Sequence, residues 1–576
     1  MRDRSAAIRG RKVRPGLRIP ELIVRRECLA FALLSLFGCA RLHFLKSPSV
    51  PRERGESETQ PGPGFAPEPL RSGTDVNADW TGYNNGYHGD RFSQLARITS
   101  ENVSQLRQHC VADLGVRAAM ESGPVVIGGT LFLTTVENTY AIDASTCALR
   151  WKHSYRYSPK PPFDLKVNRG VAYADGRLFR GSNDGRIYAL DAWTGKELWN
   201  VVAGNPDQGE TFPAAPIAWK GLVFIGNAGG DNFAVKGRMM AFDATTGGRV
   251  WSFDLVPESG EASRSWPPAS EVVPKVGAAS WTTYALDTVS GTVYVPTGNS
   301  APDFLPELRP GANLYAYSVV ALDARNGTLR QHYPVLDHDF HDWDVAAAPV
   351  LITGPDGVPL LVVAGKDGHV YAFERASGRK RYATQVTTVD NIAAPITSEG
   401  TRFCPGVNGG VEWNGPSYSP KTNTLYVNAI DWCTTVSVSP AAKLEGKDGI
   451  PWTGSSKLSE PFGRPDSTRR GWLTALNAET GKIRWRYASP TPLVAGITAT
   501  AGGLVFTGDL DGSVLAFDAG DGRILWRATT GQPIGGGVVS YAVQGQQYIA
   551  VASGLHAPVT WRLKTSPAKL VVYSLP

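Results

Sequence analysis

The segment Asp337-His-Asp-Phe-His-Asp-Trp-Asp344 places four carboxylates and two imidazoles within eight residues. His338 and His341 stand three apart, with Asp339 and Asp342 beside them, so one chemistry on offer is a His/Asp zinc site with hydrolysis or elimination as its reaction. Against that reading, strand or loop spacing does not by itself make such side chains converge. These groups can act only if the chain folds other groups onto them.

The elements that would do so are written in a repeat. Ala189-Leu-Asp-Ala-Trp-Thr-Gly-Lys-Glu-Leu-Trp199 recurs closely at Ala141, Ala241, Ala475 and Ala516, and in worn form at Ala321 and Ala372. Arg186-Ile-Tyr-Ala-Leu-Asp191 alternates like a half-buried strand, Ala-x-x-Gly supplies a turn in which Gly195 takes positive φ, and the next strand carries Trp199 inward as an anchor. A single hairpin cannot bury its own apolar face, so the units must stack or close into a ring. Successive copies start 48, 52, 80, 51, 103 and 41 residues apart. A basic period of about 40 to 50 is that of a four-stranded propeller blade. The expected fold is all-β: an eight-bladed β-propeller with tryptophan-docking repeats over 75–576, its last blade closed by strands from both chain ends. The 80- and 103-residue gaps leave room for long loops or a decayed blade. An open β-solenoid fits less well, because the turns vary too much for a strict short coil.

The chain has 576 residues with 63 Gly, 41 Pro and 16 Trp, a turn-rich and aromatic-anchored composition. Its formal charge of +6 is not a nucleic-acid signal. Residues 1–38 hold nine Lys or Arg against Asp3, Glu21 and Glu27, which accounts for all of it and leaves the remainder neutral. Those basic residues precede Cys28-Leu-Ala-Phe-Ala-Leu-Leu-Ser-Leu-Phe-Gly-Cys39, an apolar run short for a membrane span and suited to an export signal. The expectation is a periplasmic protein with a leader at 1–39 and a Pro-, Arg-, Glu- and Gly-rich tether at 40–74. Leu36-Phe-Gly-Cys39 resembles a lipoprotein cleavage site, so lipidation at Cys39 stands beside ordinary cleavage, with a retained anchor as the third choice. Cys28 and Cys39 leave with the leader, and the other four cysteines, Cys110, Cys147, Cys404 and Cys433, fit an oxidising compartment. Of their three possible pairings, Cys110–Cys147 and Cys404–Cys433 each close a local excursion. No Cys-x-x-Cys-His is present, hence no covalently attached c-type haem on this chain.

Asp79-Trp-Thr-Gly-Tyr-Asn, Ile98-Thr-Ser-Glu-Asn-Val103, the tryptophan repeats and Tyr294-Val-Pro-Thr-Gly-Asn299 together resemble the bacterial quinoprotein dehydrogenases from about Asp79 to Pro576. That family holds pyrroloquinoline quinone (PQQ) and a divalent cation at the axis of an eight-bladed propeller. The resemblance implies that Trp281 stacks on the quinone and that Arg169, Glu121, Gly229 and Trp413 line the cofactor site. It implies cation ligation by Asp231, where relatives have Glu, by Asn299 and by Asp344. All-oxygen ligation suits Ca²⁺. Lanthanide-using members carry a further Asp two residues after the catalytic one, where this chain has Ala346, which favours calcium. Asp344 is the expected general base, with Asp342 the fallback because the His341-Asp-Trp-Asp344 motif is one residue short. Lys366 is expected to hydrogen-bond the quinone oxygens. Ala228, Pro213 and Ala279 replace hydroxyl residues of relatives. The adjacent-cysteine disulfide of the family's alcohol dehydrogenases is replaced by Pro162-Phe-Asp-Leu-Lys166, which leaves either Phe163 to cover the ring or a more open face, as in the membrane glucose dehydrogenase branch.

The function implied is an exported PQQ- and Ca²⁺-dependent dehydrogenase. Its substrate is an alcohol, sugar or related carbinol, and its electrons go to a separate acceptor such as cytochrome c or a quinone. The alternative is a non-catalytic envelope scaffold or sensor, which has no reason to keep the site residues together. The pocket's size is expected to depend on loops in 251–280 and 383–412.

Overall fold

The computed structural model describes residues 78–576 except 269, 271–272 and 564–565. The expected leader with Cys28 and Cys39, and the tether at 40–74, lie outside the described residues. Among the described residues no helix is long and apolar enough to cross a membrane.

Eight sheets follow one another along the chain, spanning 125–154, 172–202, 217–254, 285–334, 350–385, 417–489, 498–529 and 538–574; each is built on four antiparallel strands, and the one at 498–529 gains a fifth, Phe92–Ser93, paired in parallel. The last holds only three strands of its own. Arg107–Arg117 is its fourth, with Arg107 opposite Ser574, so the two ends of the propeller domain close one blade as expected. The seven repeat copies fall on the first seven sheets. The 80- and 103-residue gaps therefore hold long loops rather than a decayed blade, and the closing blade is the one without the signature.

The tryptophans correct one expectation. Trp199 does not point inward: it sits on the outermost strand Glu197–Val202, half-buried, and its indole N–H donates to Ala244 O of the next blade at 3.2 Å. Trp151, Trp251 and Trp485 do the same to Ala192 O, Ala324 O and Ala519 O at 3.1, 3.0 and 3.2 Å. Each indole covers the neighbouring hairpin turn. A Cβ on Gly247 would stand 2.8 Å from the Trp199 ring, and its φ of 75° is left-handed, so the glycine of the repeat serves the turn and the neighbouring indole together. In a worn copy Tyr382 replaces the indole, and its hydroxyl donates to Ala478 O at 2.9 Å.

The closing blade docks differently. Its outermost strand carries Cys110, bonded to Cys147, which occupies the glycine position of the first blade's turn with φ 61°. A covalent link thus stands where four of the other blades use an indole against a glycine. Cys404–Cys433 also forms, tying the connection that precedes the sixth sheet to the excursion after its strand Thr424–Asp431.

In a blade of antiparallel strands, the start of the first strand, the connection from second to third and the end of the fourth share one face. The docking turns lie on the other. The segment 78–93 pairs with innermost strands round the ring, at Val126, Leu286, Leu351, Tyr418, Ala499 and Ala542. Its buried Arg91 donates to Asn84 at 2.9 Å and lies 4.8 Å from the Tyr83 ring centroid.

Candidate active site

The same-face rule locates the chemistry. Glu121, Arg169, Trp281, Asp344 and Trp413 each precede an innermost strand by a few residues. Asp231, Asn299 and Lys366 each lie in a connection from second to third strand. The two loop classes meet at one cavity of about 330 Å³, within the size range of small-molecule sites. Glu121, Arg169, Gly229, Asp231, Trp281, Asn299, Asp344, Lys366 and Trp413 all line it, so the residues singled out from the sequence are brought together.

The Asp337–Asp344 stretch is organised by Asp339. Its carboxylate accepts from the backbone N–H of His341 (3.0 Å) and of Trp343 (2.9 Å) and pairs with His341 Nδ1 at 2.9 Å. Burial pushes the Asp339 carboxyl up, but these hydrogen bonds outweigh it and hold it below the usual range. His341 stacks on Trp343 with centroids 4.1 Å apart, while His338 turns to Gly311 O at 2.7 Å. The imidazoles diverge, and among the described residues the one converging group of candidate metal ligands contains neither of them. They build the turn and make no zinc site.

The turn presents two acids. Asp344 Oδ1 accepts from the Asn299 N–H at 2.8 Å, an approach that requires Gly298, where a Cβ would stand 2.6 Å from that oxygen. Asp342, at φ 65°, and Asp344 each place Oδ2 3.3 Å from Lys366 Nζ. Burial alone would lower the Lys366 ammonium, but Asp342 and Asp344 raise it well above its ordinary value, so the ammonium is charged. Burial and then Asp344 push Asp231 up to about 7 against Lys366 and Asn299. Burial likewise carries Glu412 to about 7.

On the opposite wall Arg169 pairs with Glu121 at 2.6 Å and donates to Trp281 O at 3.1 Å. Its guanidinium lies 4.6 Å from the Trp281 ring centroid and 5.4 Å from that of Trp413, so a planar cation already lies against both indoles. Phe163 lines the same cavity.

Several lining residues carried no sequence signal. Trp561 and His556 come from the C-terminal segment, outside any repeat, and Trp561 packs on Trp413 with centroids 5.8 Å apart. Of the two loops expected to size the pocket, 383–412 contributes Val407, Asn408 and Glu412, while 251–280 contributes only Ala279 near its end. That excursion instead packs beside the loop after Asn299, pairing Val276–Gly277 with Ser300–Ala301. Asp303, in that second loop, joins Asp231 and Asp342 with ligand oxygens all within 4.8 Å of one another.

A propeller with this pit is a fold shared by many functions, and its relatives decide the family. Residues 80–390 match the model of the PQQ glucose/ethanol/alcohol dehydrogenase β-propeller domain, more than half of the chain. The chain belongs to this quinoprotein dehydrogenase family. The expected class, a PQQ-dependent oxidoreductase, stands with it. The quinohemoprotein alcohol dehydrogenase of Comamonas testosteroni is 30% identical over 528 residues, covering 84% of this chain and 74% of that protein. The lanthanide-dependent methanol dehydrogenase of Methylacidiphilum fumariolicum is 29% identical over 83% of this chain and 84% of its own. A solved europium-containing methanol dehydrogenase superposes with a TM-score of 0.76 at 26% identity, over 87% of this chain and 99% of that one. Residues 467–574 also match the outer-membrane assembly factor BamB model, a stretch that contains none of the nine lining residues predicted from the sequence.

The quinoprotein cofactor fits the donors present. Arg169 keeps a buried Nε without a partner beside the indole, a donor for a carboxylate, and the acids facing Lys366 offer only oxygen to a cation.

Proposed function

We propose that this chain oxidises an alcohol, sugar or related carbinol, with PQQ and a hard cation in the central pit. Electrons then pass to a separate acceptor such as a cytochrome c or a membrane quinone, outside the cytoplasm. When bound, the quinone supplies the two-electron acceptor and the cation polarises it. The observation that carries the reading is the Asp344 carboxylate, fixed at one oxygen by the Asn299 N–H and lying with its other oxygen 3.3 Å from Lys366.

Asp344 is the base. It takes the substrate hydroxyl proton on a carboxylate whose orientation is set before substrate arrives. Lys366, charged and buried, stabilises negative charge that develops beside it. Arg169 and Glu121 fix the far wall, where Arg169 receives a carboxylate. Trp281 supplies an aromatic face, and Trp413 and Trp561 shield the chamber from water. Asp231 and Asn299 are the oxygen ligands placed beside the two acids. The leader and tether deliver the disc to the periplasm.

Purified full-length protein, reconstituted with PQQ and either Ca²⁺ or a lanthanide, is to be screened against alcohols and sugars with an artificial dye acceptor. Quinone binding with turnover of a carbinol is expected. A chain that binds no quinone under any of these conditions would be a scaffold instead.

A further inference from the structure

Calcium is implied by one residue, Ala346, but the structure brings in a carboxylate that no family motif names. Asp303 lies four residues beyond Asn299 and is 0% exposed. Its backbone is clamped. The fully buried Arg309 donates from Nη2 to Asp303 O at 2.8 Å and to Asp339 O at 2.6 Å, and from Nε to Pro302 O at 2.9 Å. Phe304 N–H donates to Thr453 O at 2.9 Å on the other side. The guanidinium is thus engaged with the Asp303 backbone, while both Asp303 side-chain oxygens are buried without a hydrogen-bond partner. A fully buried carboxylate with neither oxygen satisfied is a costly arrangement, which a bound ion would relieve.

The geometry says what kind of ion. One oxygen from each of Asp231, Asp303 and Asp342 falls within a 4.8 Å span. Three converging carboxylate oxygens make the hard, all-oxygen donor set that Ca²⁺-sized cations take at about 2.3–2.6 Å. Lys366 approaches Asp342 and Asp344 but not Asp303 within bonding distance, so three carboxylates converge with the ammonium on one side only.

We propose that Asp231, Asp303 and Asp342 form a tricarboxylate cradle for a large trivalent hard cation, with Asp303 the ligand that makes the site prefer charge +3 over Ca²⁺. Asp231, Asp303, Asp342 and Asp344 carry four negative charges against the one positive charge of Lys366, and the net of three balances a trivalent ion but leaves a divalent one with an uncompensated negative charge in a buried site, where such an excess is expensive. The cradle also leaves Asp344 outside the three-oxygen set and available to take a proton. The inference deepens the proposed reading by naming the cation class, yet its test needs neither quinone nor turnover.

Metal-free full-length protein is titrated with Tb³⁺, followed by sensitised luminescence, and with Ca²⁺, followed by calorimetry, for wild type, Asp303→Asn and Asp303→Ser. The expected result is Tb³⁺ binding at least 100-fold tighter than Ca²⁺ in wild type. Asp303→Asn should weaken Tb³⁺ at least 10-fold and Ca²⁺ far less, so the ratio collapses. Europium luminescence lifetimes in H₂O and D₂O should show about one more bound water in Asp303→Ser. Because Asp303→Asn keeps the shape of a buried side chain that has no hydrogen bond to lose, the metal-free variant should melt no lower than wild type and gain less Tm from Tb³⁺. Equal wild-type affinity for the two ions, or Tb³⁺ affinity unchanged by both substitutions, overturns the cradle. Quinone binding, read separately by absorbance, decides the proposed function whichever way the cradle falls.

Discussion

Arg169 lies over the Trp281 ring, 4.6 Å from its centroid, and the same guanidinium is held by Glu121 at 2.6 Å. The flat wall of the pit is therefore built by an ion pair that orients an arginine against an indole. If that wall receives the quinone, Arg169→Ala should weaken PQQ binding by about 10²-fold, the cost of about 3 kcal/mol for a charge-assisted contact in a desolvated site. Arg169→Lys should recover only part, since an ammonium lacks the fork and the planar face. Fluorescence titration of metal-loaded protein reads both, and equal affinity in all three proteins would move the carboxylate elsewhere.

Asp344→Asn keeps the shape of the carboxylate and its hydrogen bond from Asn299 but removes the proton acceptor. Turnover should drop by 10³-fold or more, with the melting temperature and quinone affinity near those of wild type. The fallback base is separable, because Asp342→Asn should act mainly on cation affinity. Should Asp342→Asn abolish turnover in cation-saturated protein while Asp344→Asn spares it, the two assignments exchange.

Lys366 faces both acids at 3.3 Å, and its removal acts in opposite directions on two observables. Lys366→Ala should slow the reductive half-reaction by about 10²-fold, since the buried positive charge beside the developing anion is gone. The cation should bind no more weakly, because the same substitution removes a competitor for Asp342. Stopped-flow reduction beside a metal titration checks this; a variant that loses the metal but keeps its rate would make the lysine structural.

Glu412 gives a pH prediction. Burial raises its carboxyl to about 7 from an ordinary 4.5, against the pull of Lys366. Below the unfolded value both states are protonated. Between the two values the folded state holds the extra proton, so stability falls as pH rises from 4.5 to about 7 and then levels. The loss is on the order of 3 kcal/mol. Glu412→Gln should therefore match wild type near pH 4.5 and exceed it by about that amount at pH 8, in denaturant unfolding of metal-free protein. Parallel profiles would show that the group ionises freely in its chamber.

The repeat was legible because it obeys two rules at once: alternation within strands, and a glycine turn that a neighbouring indole must cover. That made blade number and the closing of the ring readable, although Trp199 had to be seen in space to show that it docks sideways. The nine lining residues were legible through resemblance, and the same-face rule explains why loops so far apart in sequence meet. Asp303 was not legible. It lies in no repeat, and its meaning depends on Arg309 holding the backbone while the carboxylate stays unpaired, a relationship with no spacing signature. Trp561 was hidden likewise, since nothing in the chain order says that the C-terminal segment folds over the pit.

The Cys110–Cys147 bridge is the covalent counterpart of the indole-on-glycine dock, placed at the one junction where the ring is closed by two distant parts of the chain. Cys147 sits where the other turns have glycine, so Cys110→Ser with Cys147→Gly restores the repeat while deleting the latch. Loss of a crosslink spanning 37 residues should cost about 2–4 kcal/mol. The cost should appear first as faster amide exchange in Arg107–Arg117 and its partner Pro567–Ser574, because those strands close the ring. Deleting Cys404–Cys433 instead leaves the closing blade untouched and should accelerate exchange only around 401–436. If both double variants loosen the same amides, or the first loosens none, the bridge at Cys110 does not act as the latch of the ring.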